Sequence, residues 1–315
     1  MGPIRVGVIG VGHLGQHHAR LYAALPQATL VGVVDARPAQ AKSVAERHGT
    51  IVFGDLDSLL KEVQAVSVAV PTSDHHAVTK ACLAAGVHVL VEKPIAVHPQ
   101  EAHDLVRLAR EARLILQVGH VERFNPGIAA LRARVSNPAY IECQRLSRFG
   151  PRGTDVNVVL DLMIHDLDIV LSFRPGPVED IRAVGAAVLT PLYDMAQARI
   201  QFAGGCVANL TASRVSEAPT RTIRVIQRDA AFLMDYHTRH GMVFRPGTSA
   251  TGDPIIEQEP FHGGEGEPLK LELEAFLHAA STGASPLVSG EDGAAAVDLA
   301  HRIQDSIQSF LARQR

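Results

Sequence analysis

The chain reads as an α/β protein. A Rossmann-type, doubly wound parallel sheet is expected over residues 1–122, and an α+β domain with a large mixed or antiparallel sheet over 123–315. Three observations predict this. Six short apolar runs alternate with helical stretches between about residues 3 and 120, the order that builds a parallel sheet. The first run ends in Gly10-Val11-Gly12-His13-Leu14-Gly15 and the second in Asp35. Beyond Gly119–Pro126, read as the crossover between domains, the texture changes to runs typical of a mixed or antiparallel sheet.

Taken in order, Ile4–Ile9 is a β-rich run, and a helical pattern from Leu14 to Leu25 stops before Pro26. Leu30–Val34 is the second strand. Strand, G-x-G-x-x-G, helix, strand and acid is the order a dinucleotide site requires. Gly10 makes the tight turn, Gly12 lets the backbone approach a pyrophosphate, and Gly15 lets helix and strand pack closely. His13 and Leu14 lie between them, at a helix start whose N–H groups suit phosphates. Asp35, 25 residues after Gly10, stands where a carboxylate accepts from the adenosine ribose. It favours NAD over NADP because it repels a 2′-phosphate, although Arg37 nearby keeps NADP open. The pattern then repeats: helix Ala39–His48 closed by Gly49, strand Ile51–Phe53, helix Leu56–Lys61, strand Ala65–Val70, and helix His76–Ala85 capped by Gly86.

Next comes Val89-Leu90-Val91, a short apolar run that ends abruptly in Glu92-Lys93-Pro94. Proline lacks a backbone N–H and restricts the residue before it, so the strand stops there. Lys93 is thus held at the carboxyl end of a strand, the edge where open α/β sheets bind ligands. A helix Pro99–Arg113 and a strand Leu114–Val118 complete the sheet. One edge then carries Gly10–Gly15, Pro71–His75, Glu92–Lys93 and Gly119–His120.

In the second half strands are expected near Ala139–Ser147, Val178–Val188, Ala196–Phe202, Val207–Arg214, Thr222–Gln227 and Ala231–Met234. The Gly/Pro/Glu-rich stretch from Pro246 to Pro268 reads as a long loop. Helices follow over Leu269–Ser281 and Glu291–Arg313, the last free to pack back on the first domain. Val158–Leu171 is a helical run in which Asp161, His165 and Asp168 share one face. Polar groups in an apolar stripe need partners. A structural histidine satisfied by its aspartates, a metal pair and a catalytic set all fit that pattern, and no further ligands gather to favour metal.

Composition bounds the function. Hydrophobic content of 46% with 20% charged residues describes a chain that can bury a full core. A formal net charge of -3 provides no basic field for nucleic acid or an anionic membrane. Cys82, Cys143 and Cys206 lie far apart, which suits a reducing compartment without disulfides. No run approaches the roughly 18 apolar residues of a membrane span, and the amino-terminus shows no signal-peptide pattern. A soluble cytoplasmic protein is expected, with a sheet face available for a homodimer or homotetramer.

With Gly10–Gly15, Glu92-Lys93-Pro94, Asp161-x-x-x-His165 and the closing Pro286-Leu287-Val288-Ser289-Gly290-Glu291-Asp292-Gly293 in hand, the chain resembles the Gfo/Idh/MocA oxidoreductases over nearly its whole length. The resemblance implies an NAD(P)-dependent dehydrogenase in which Lys93, Asp161 and His165 are the catalytic group. It also implies cofactor contacts from Glu92 and Lys93. The family's Thr-Pro-Asn-x-x-His segment corresponds to Val70–His75, where Pro71 and His75 are kept and Thr72 replaces the asparagine. Thr72 is therefore carried over as a backbone contact only. Oxidising an alcohol needs a base for the hydroxyl proton as hydride leaves. An ordinary lysine is protonated at neutral pH, burial beside a cationic ring favours its neutral form, and an imidazole titrates nearer neutrality, so Lys93 and His165 both qualify.

Within the family, Gly119–Pro126 and Gly153–Leu171 look most like members that oxidise the 3-hydroxyl of UDP-N-acetylglucosamine. His120 and three arginines, Arg123, Arg148 and Arg152, are then expected at the substrate, the arginines because their planar forks suit a diphosphate. The alternatives are an inositol or simple-sugar dehydrogenase, an inert NAD-binding regulator, and NAD-assisted glycoside cleavage through a transient ketone.

Overall fold

Burial on both faces defines the first strand, β1 (Ile4–Ile9), in which Arg5 alone is exposed. Such a strand must be covered by helices on either side. The computed structural model describes residues 2–150 and 156–313, so Pro151–Asp155, and Arg152 with them, lie outside the described residues. The chain divides into two units. The first holds the residues through Val121 together with Glu267–Val297, and the second holds Glu122–Gly266 together with the chain from Asp298.

In the first unit β1 is followed by α1 (Gly15–Ala24), β2 (Ala28–Val34), α2 (Pro38–His48), β3 (Ile51–Val52), α3 (Leu56–Leu60), β4 (Ala65–Val68), α4 (His75–Ala84), β5 (His88–Glu92), α5 (Pro99–Ala112) and β6 (Leu116–Gly119). The six strands are parallel in the order β3-β2-β1-β4-β5-β6, the doubly wound arrangement expected. The order reverses between β1 and β4, and that switch point is where such sheets bind ligands. Local signals account for the helix ends. Pro38 and Pro99 occupy first turns, where a missing N–H costs nothing, and Gly49 closes α2 at a φ of 65°. The core gathers Val6, Val8, Leu21, Tyr22, Val33 and Leu90 with Leu273 and Phe276. The last two lie on a helix from the far end of the chain, between Pro268 and Thr282.

The second unit contains α6 (Pro126–Arg132), β7 (Pro138–Leu146), a π turn (Val159–Met163) continuing into α7 (Ile164–Ser172), and β8 (Val178–Ala186). It goes on through β9 (Met195–Phe202), β10 (Val207–Ser213), β11 (Thr220–Gln227), β12 (Ala230–Asp235), β13 (His240–Thr248) and β14 (Pro254–His262). Its eight-stranded sheet runs β14-β13-β12-β11-β7-β10-β9-β8. Only the β7–β10 pair is parallel within it, so the sheet is mixed. Strict alternation of burial along β9 shows one face packed and one face open. The chain closes with α8 (Pro268–Thr282), in the first unit, and α9 (Gly290–Ala312).

One expectation is overturned. The stretch from Pro246 to Pro268 is not a long loop, because β13 and β14 pair through it from His240↔His262 to Thr248↔Pro254. The outermost strand, β14, exposes every residue but Phe261. It therefore shows no apolar alternation, and its prolines are tolerated because an edge strand can leave an N–H unused. Expected helix Val158–Leu171 is also modified: it opens as a π turn, a feature that concentrates at functional sites.

Candidate active site

Each unit carries one group of the predicted residues. In the first unit, Gly10 at the end of β1 has a φ of 80°, and an added Cβ would stand 2.7 Å from the Ala69 carbonyl oxygen. A Cβ on Gly15 would fall 1.8 Å from the carbonyl oxygen of Gly10, so neither position admits a side chain. Gly12 differs. Its nearest neighbour would be the Arg37 guanidinium at 3.5 Å, an ordinary contact, so nothing within the unit demands glycine there. What a side chain at Gly12 would obstruct is approach from outside. No side chain caps α1, and no acidic residue lies in its first turn. Glycine turn and helix start thus fit a pyrophosphate by shape and by charge.

Asp35 anchors this cradle. Its Oδ2 accepts the Val11 N–H at 2.8 Å and its Oδ1 accepts the Arg37 N–H at 2.8 Å. A carboxylate has about four acceptor positions, so two remain for ribose hydroxyls. The Arg37 side chain is 70% exposed, with its Nε 3.6 Å from Asp35 Oδ1. Gln40 reaches back from α2 to donate to the Val11 carbonyl at 2.7 Å. His13 and Leu14 are exposed on the same loop, with the His13 ring edge-on to His17 at 5.8 Å.

Lys93 follows β5 directly and is half-buried. The turn carrying it is held from two sides. Glu92 is buried, and its Oε2 accepts the Lys93 backbone N–H at 3.3 Å. His75 is buried too, with Nδ1 2.7 Å from the Pro94 carbonyl and Nε2 3.0 Å from the Val70 carbonyl. It staples the loops after β4 and β5 together. Burial outweighs those two bonds and the Glu92 and Asp74 charges, and lowers its basicity. Pro71 is exposed and Thr72 half-buried on a single 3₁₀ turn, Thr72–Asp74, before α4. His120, just after β6, is buried and its N–H donates to Val118 at 2.8 Å.

Sequence reasoning missed what lies beneath Glu92. His18, one turn into α1, is fully buried. Its Nε2 lies 2.9 Å from Glu92 Oε1 and its Nδ1 3.0 Å from Ser67 Oγ, while the Tyr22 hydroxyl lies 2.8 Å from the same Oγ. The signal available was the i,i+4 pairing of His18 with Tyr22 on the inner face of α1.

In the second unit, Asp161 sits inside the π turn and His165 in the first turn of α7, and both are partly exposed. Asn157 fixes the start: its Oδ1 accepts the Val159 N–H at 3.0 Å and the Leu160 N–H at 3.3 Å. A second unforeseen residue, Arg214 beyond β10, is buried and places Nη2 3.9 Å from Asp161 Oδ2, while donating to the Val156 carbonyl at 2.9 Å. Its Nε lies 3.9 Å from Oδ1 of Asp194. Asp194 is fully buried, and its Oδ2 accepts the N–H groups of Val188, Leu189 and Thr190. Burial alone would raise its pKa, but those three bonds and the Thr190 hydroxyl hold it well below the ordinary carboxylate value.

The rest of the polar stripe is structural. Asp168 is buried and accepts from Arg123 at 3.1 Å. Asp166 takes both arms of the buried Arg145 at 2.9 Å, and Arg145 also reaches Glu122 at 3.1 Å. Arg123 was expected as an open cation for a diphosphate, and the structure corrects this: its side chain is 5% exposed and committed to Asp168. Arg148 is exposed, its Nε donating to the Glu217 carbonyl at 2.6 Å. Arg152 lies outside the described residues.

Comparison with known proteins finds matches to both parts of the chain. Residues 4–120 match the description "Oxidoreductase family, NAD-binding Rossmann fold", and residues 128–232 match "GFO/IDH/MocA C-terminal domain". The chain is 39% identical over 312 residues to a UDP-N-acetylglucosamine 3-dehydrogenase of Acidithiobacillus ferrooxidans, covering 98% of this chain and 99% of that one. A solved structure of that enzyme superposes with a TM-score of 0.94 at 38% identity, covering 99% of each chain. An inositol 2-dehydrogenase of Rubrobacter xylanophilus is 32% identical over 228 residues, covering 68% of this chain and 65% of that one.

Proposed function

Since the chain belongs to the Gfo/Idh/MocA family of NAD-binding oxidoreductases, we propose that it oxidises the 3-hydroxyl of UDP-N-acetylglucosamine to a ketone. The observation that carries this is the 39% identity, end to end, with an enzyme named for that reaction. NAD, held by the Gly10–Gly15 turn and Asp35, supplies the hydride acceptor.

The protein's own residues divide the remaining work. Lys93, on a turn fixed through Glu92 and His75, orients the reacting hydroxyl. Its amine and the His165 imidazole are the two groups able to take the hydroxyl proton. Asp161, beside the Arg214 guanidinium, stays an acceptor for a sugar hydroxyl or for the imidazole. With Arg123 engaged internally, Arg148 and Arg152 are the cations assigned to the diphosphate, and His120 remains assigned to the sugar. Three free, buried cysteines and the open face of the eight-stranded sheet support a cytoplasmic homodimer or homotetramer.

The test is NAD reduction measured with UDP-N-acetylglucosamine, myo-inositol and glucose, with mass spectrometry of the product. The sugar nucleotide should turn over and lose two mass units, UDP should inhibit competitively, and Arg152→Ala should raise KM more than it lowers kcat. Robust turnover of free inositol or glucose without any effect of UDP would place the enzyme among the polyol and simple-sugar dehydrogenases.

A further inference from the structure

Beneath Lys93 runs a buried chain of side chains, Tyr22–Ser67–His18–Glu92, to which the mechanism above gives no task. What it does rests on the reading of Lys93 as the residue at the reacting hydroxyl. The direction of its hydrogen bonds follows from what each atom can do. Glu92 Oε2 faces the Lys93 N–H and must accept. An ionised Glu92 also accepts at Oε1, so His18 Nε2 carries the proton. With a single proton on the ring, Nδ1 is the acceptor for the Ser67 hydroxyl hydrogen, and Ser67 accepts from Tyr22. Tyr22 can serve as that terminal donor because burial first, and Glu272 after it, raise its pKa far above the ordinary phenol value despite the Ser67 bond. Each ring nitrogen and hydroxyl along the path thus has a partner.

Geometry makes Glu92 a clamp. One carboxylate oxygen is tied to α1 through His18 and the other to the backbone of Lys93. Its free side is closed by Gly119 on β6, where an added Cβ would come within 3.0 Å of Oε2. We propose that His18 is a positioning residue for the reaction: acting through Glu92, it fixes the strand-end turn that carries Lys93. Helix α1 thereby serves twice, since its first residue, Gly15, closes the dinucleotide cradle and His18 sets the turn three residues further on. His75 holds the same turn at Pro94 from the other side.

A merely structural polar contact would predict different behaviour. The charged and titratable groups around Glu92 are His18 and Tyr22 from α1, Lys93 beyond β5, and His75 from α4 with Asp74 beside it. Glu272 from α8 acts on Tyr22. Burial pushes the Glu92 carboxyl up, and the His18 bond and charge, followed by Lys93 and His75, hold it below its ordinary value. Without the His18 donor that carboxyl gains a proton at higher pH, and a protonated Glu92 no longer accepts at both oxygens. The acid limb of the kcat profile should therefore move upward.

The experiment compares His18→Asn with His18→Gln in the full-length protein, using NAD and UDP-N-acetylglucosamine. Asparagine presents its amide near the Nδ1 position and falls short of Glu92, whereas glutamine reaches the Nε2 position. Misplacement of a reacting group by about 1 Å costs on the order of 100-fold. His18→Asn should accordingly lower kcat about 10- to 100-fold, with NAD affinity within about threefold of wild type and the acid limb raised. His18→Gln should restore most of the rate and the original limb. Equal rates for the two variants with an unmoved profile, or a parallel loss of NAD binding in both, would overturn the proposal. If His18→Asn does not fold, Ser67→Ala removes only a hydroxyl and should show the same raised limb with a smaller loss of rate. Wild-type kinetics in Ser67→Ala would likewise count against it. Lys93→Ala assayed alongside separates the two levels. An active Lys93→Ala overturns the lysine's role, and an inactive one beside a wild-type His18→Asn overturns only the clamp.

Discussion

Cofactor choice is the prediction the structure specifies most fully. Both oxygens of Asp35 accept backbone N–H groups, so the carboxylate cannot swing away from the ribose position without breaking the glycine turn at Val11 or the start of α2 at Arg37. The 2′-phosphate of NADP would bring one to two negative charges beside it. Two unit charges about 4 Å apart repel by about 4 kcal/mol at an effective dielectric of about 20. Arg37 offsets part of this, but its side chain is 70% exposed and its Nε stands 3.6 Å from the same carboxylate, so solvent screens it. The remaining preference for NAD should be about 1.5–3 kcal/mol, or roughly 10- to 150-fold in Kd. Calorimetric titration of NAD and NADP into wild type and Asp35→Ser measures it directly. In Asp35→Ser the repulsion disappears and Arg37 is freed to meet the phosphate, so the gap should shrink to within about threefold or reverse. NADP binding wild type as tightly as NAD, or an undiminished gap in Asp35→Ser, would refute this account of Asp35.

Two further outcomes follow from the same geometry. Lys93→Ala and His165→Ala should each lower kcat by about 10²–10⁴, the usual worth of acid–base catalysis, while NAD affinity stays within about threefold; stopped-flow turnover and NADH fluorescence check both. Asp194→Asn should destabilise the protein by about 2–3 kcal/mol at neutral pH in urea unfolding, because hydrogen bonds to a buried charge are lost. As the native pKa of Asp194 is depressed, its contribution is complete above the ordinary carboxylate range and fades as pH falls through the native value. The wild-type advantage should therefore hold down to about pH 4 and narrow below it, and an advantage that stays undiminished from about pH 4 down to about pH 2 would contradict the assignment.

Why some of this was legible in the sequence and some was not comes down to how far each signal reaches along the chain. The parallel sheet declared itself because its strands β1, β4, β5 and β6 are buried on both faces and bounded by turn residues, so periodicity, glycines and prolines agree locally. Gly15 and Asp35 are fixed by contacts within a single βαβ unit and Gly10 by its positive φ at the turn, so spacing alone locates them. Strand β14 failed the same test because an exposed edge strand carries no burial pattern, and its stretch is rich in glycine, proline and glutamate like a loop. For arginines the missing information was partner identity. Arg123 and Arg148 look alike as residue types, yet one is buried against Asp168 and the other lies exposed on a loop. Nothing nearby in sequence distinguishes them, since Asp168 lies 45 positions from Arg123.

The same limit explains why His18 escaped notice while Lys93 did not. Lys93 is marked by a proline beside it, a local and unambiguous stop, whereas His18 is defined by Ser67 and Glu92, 49 and 74 residues away. A histidine on an amphipathic helix is ordinary until the inner face of that helix is known to cover a strand bearing a serine and another ending in a glutamate. Burial at that position then changes what the residue must do. A fully enclosed imidazole needs a partner at each nitrogen, and the two partners available are a hydroxyl on one side and a carboxylate on the other. The requirement to satisfy buried polar groups, applied once the fold is known, is thus what leads from an unremarkable helix residue to the turn that carries Lys93.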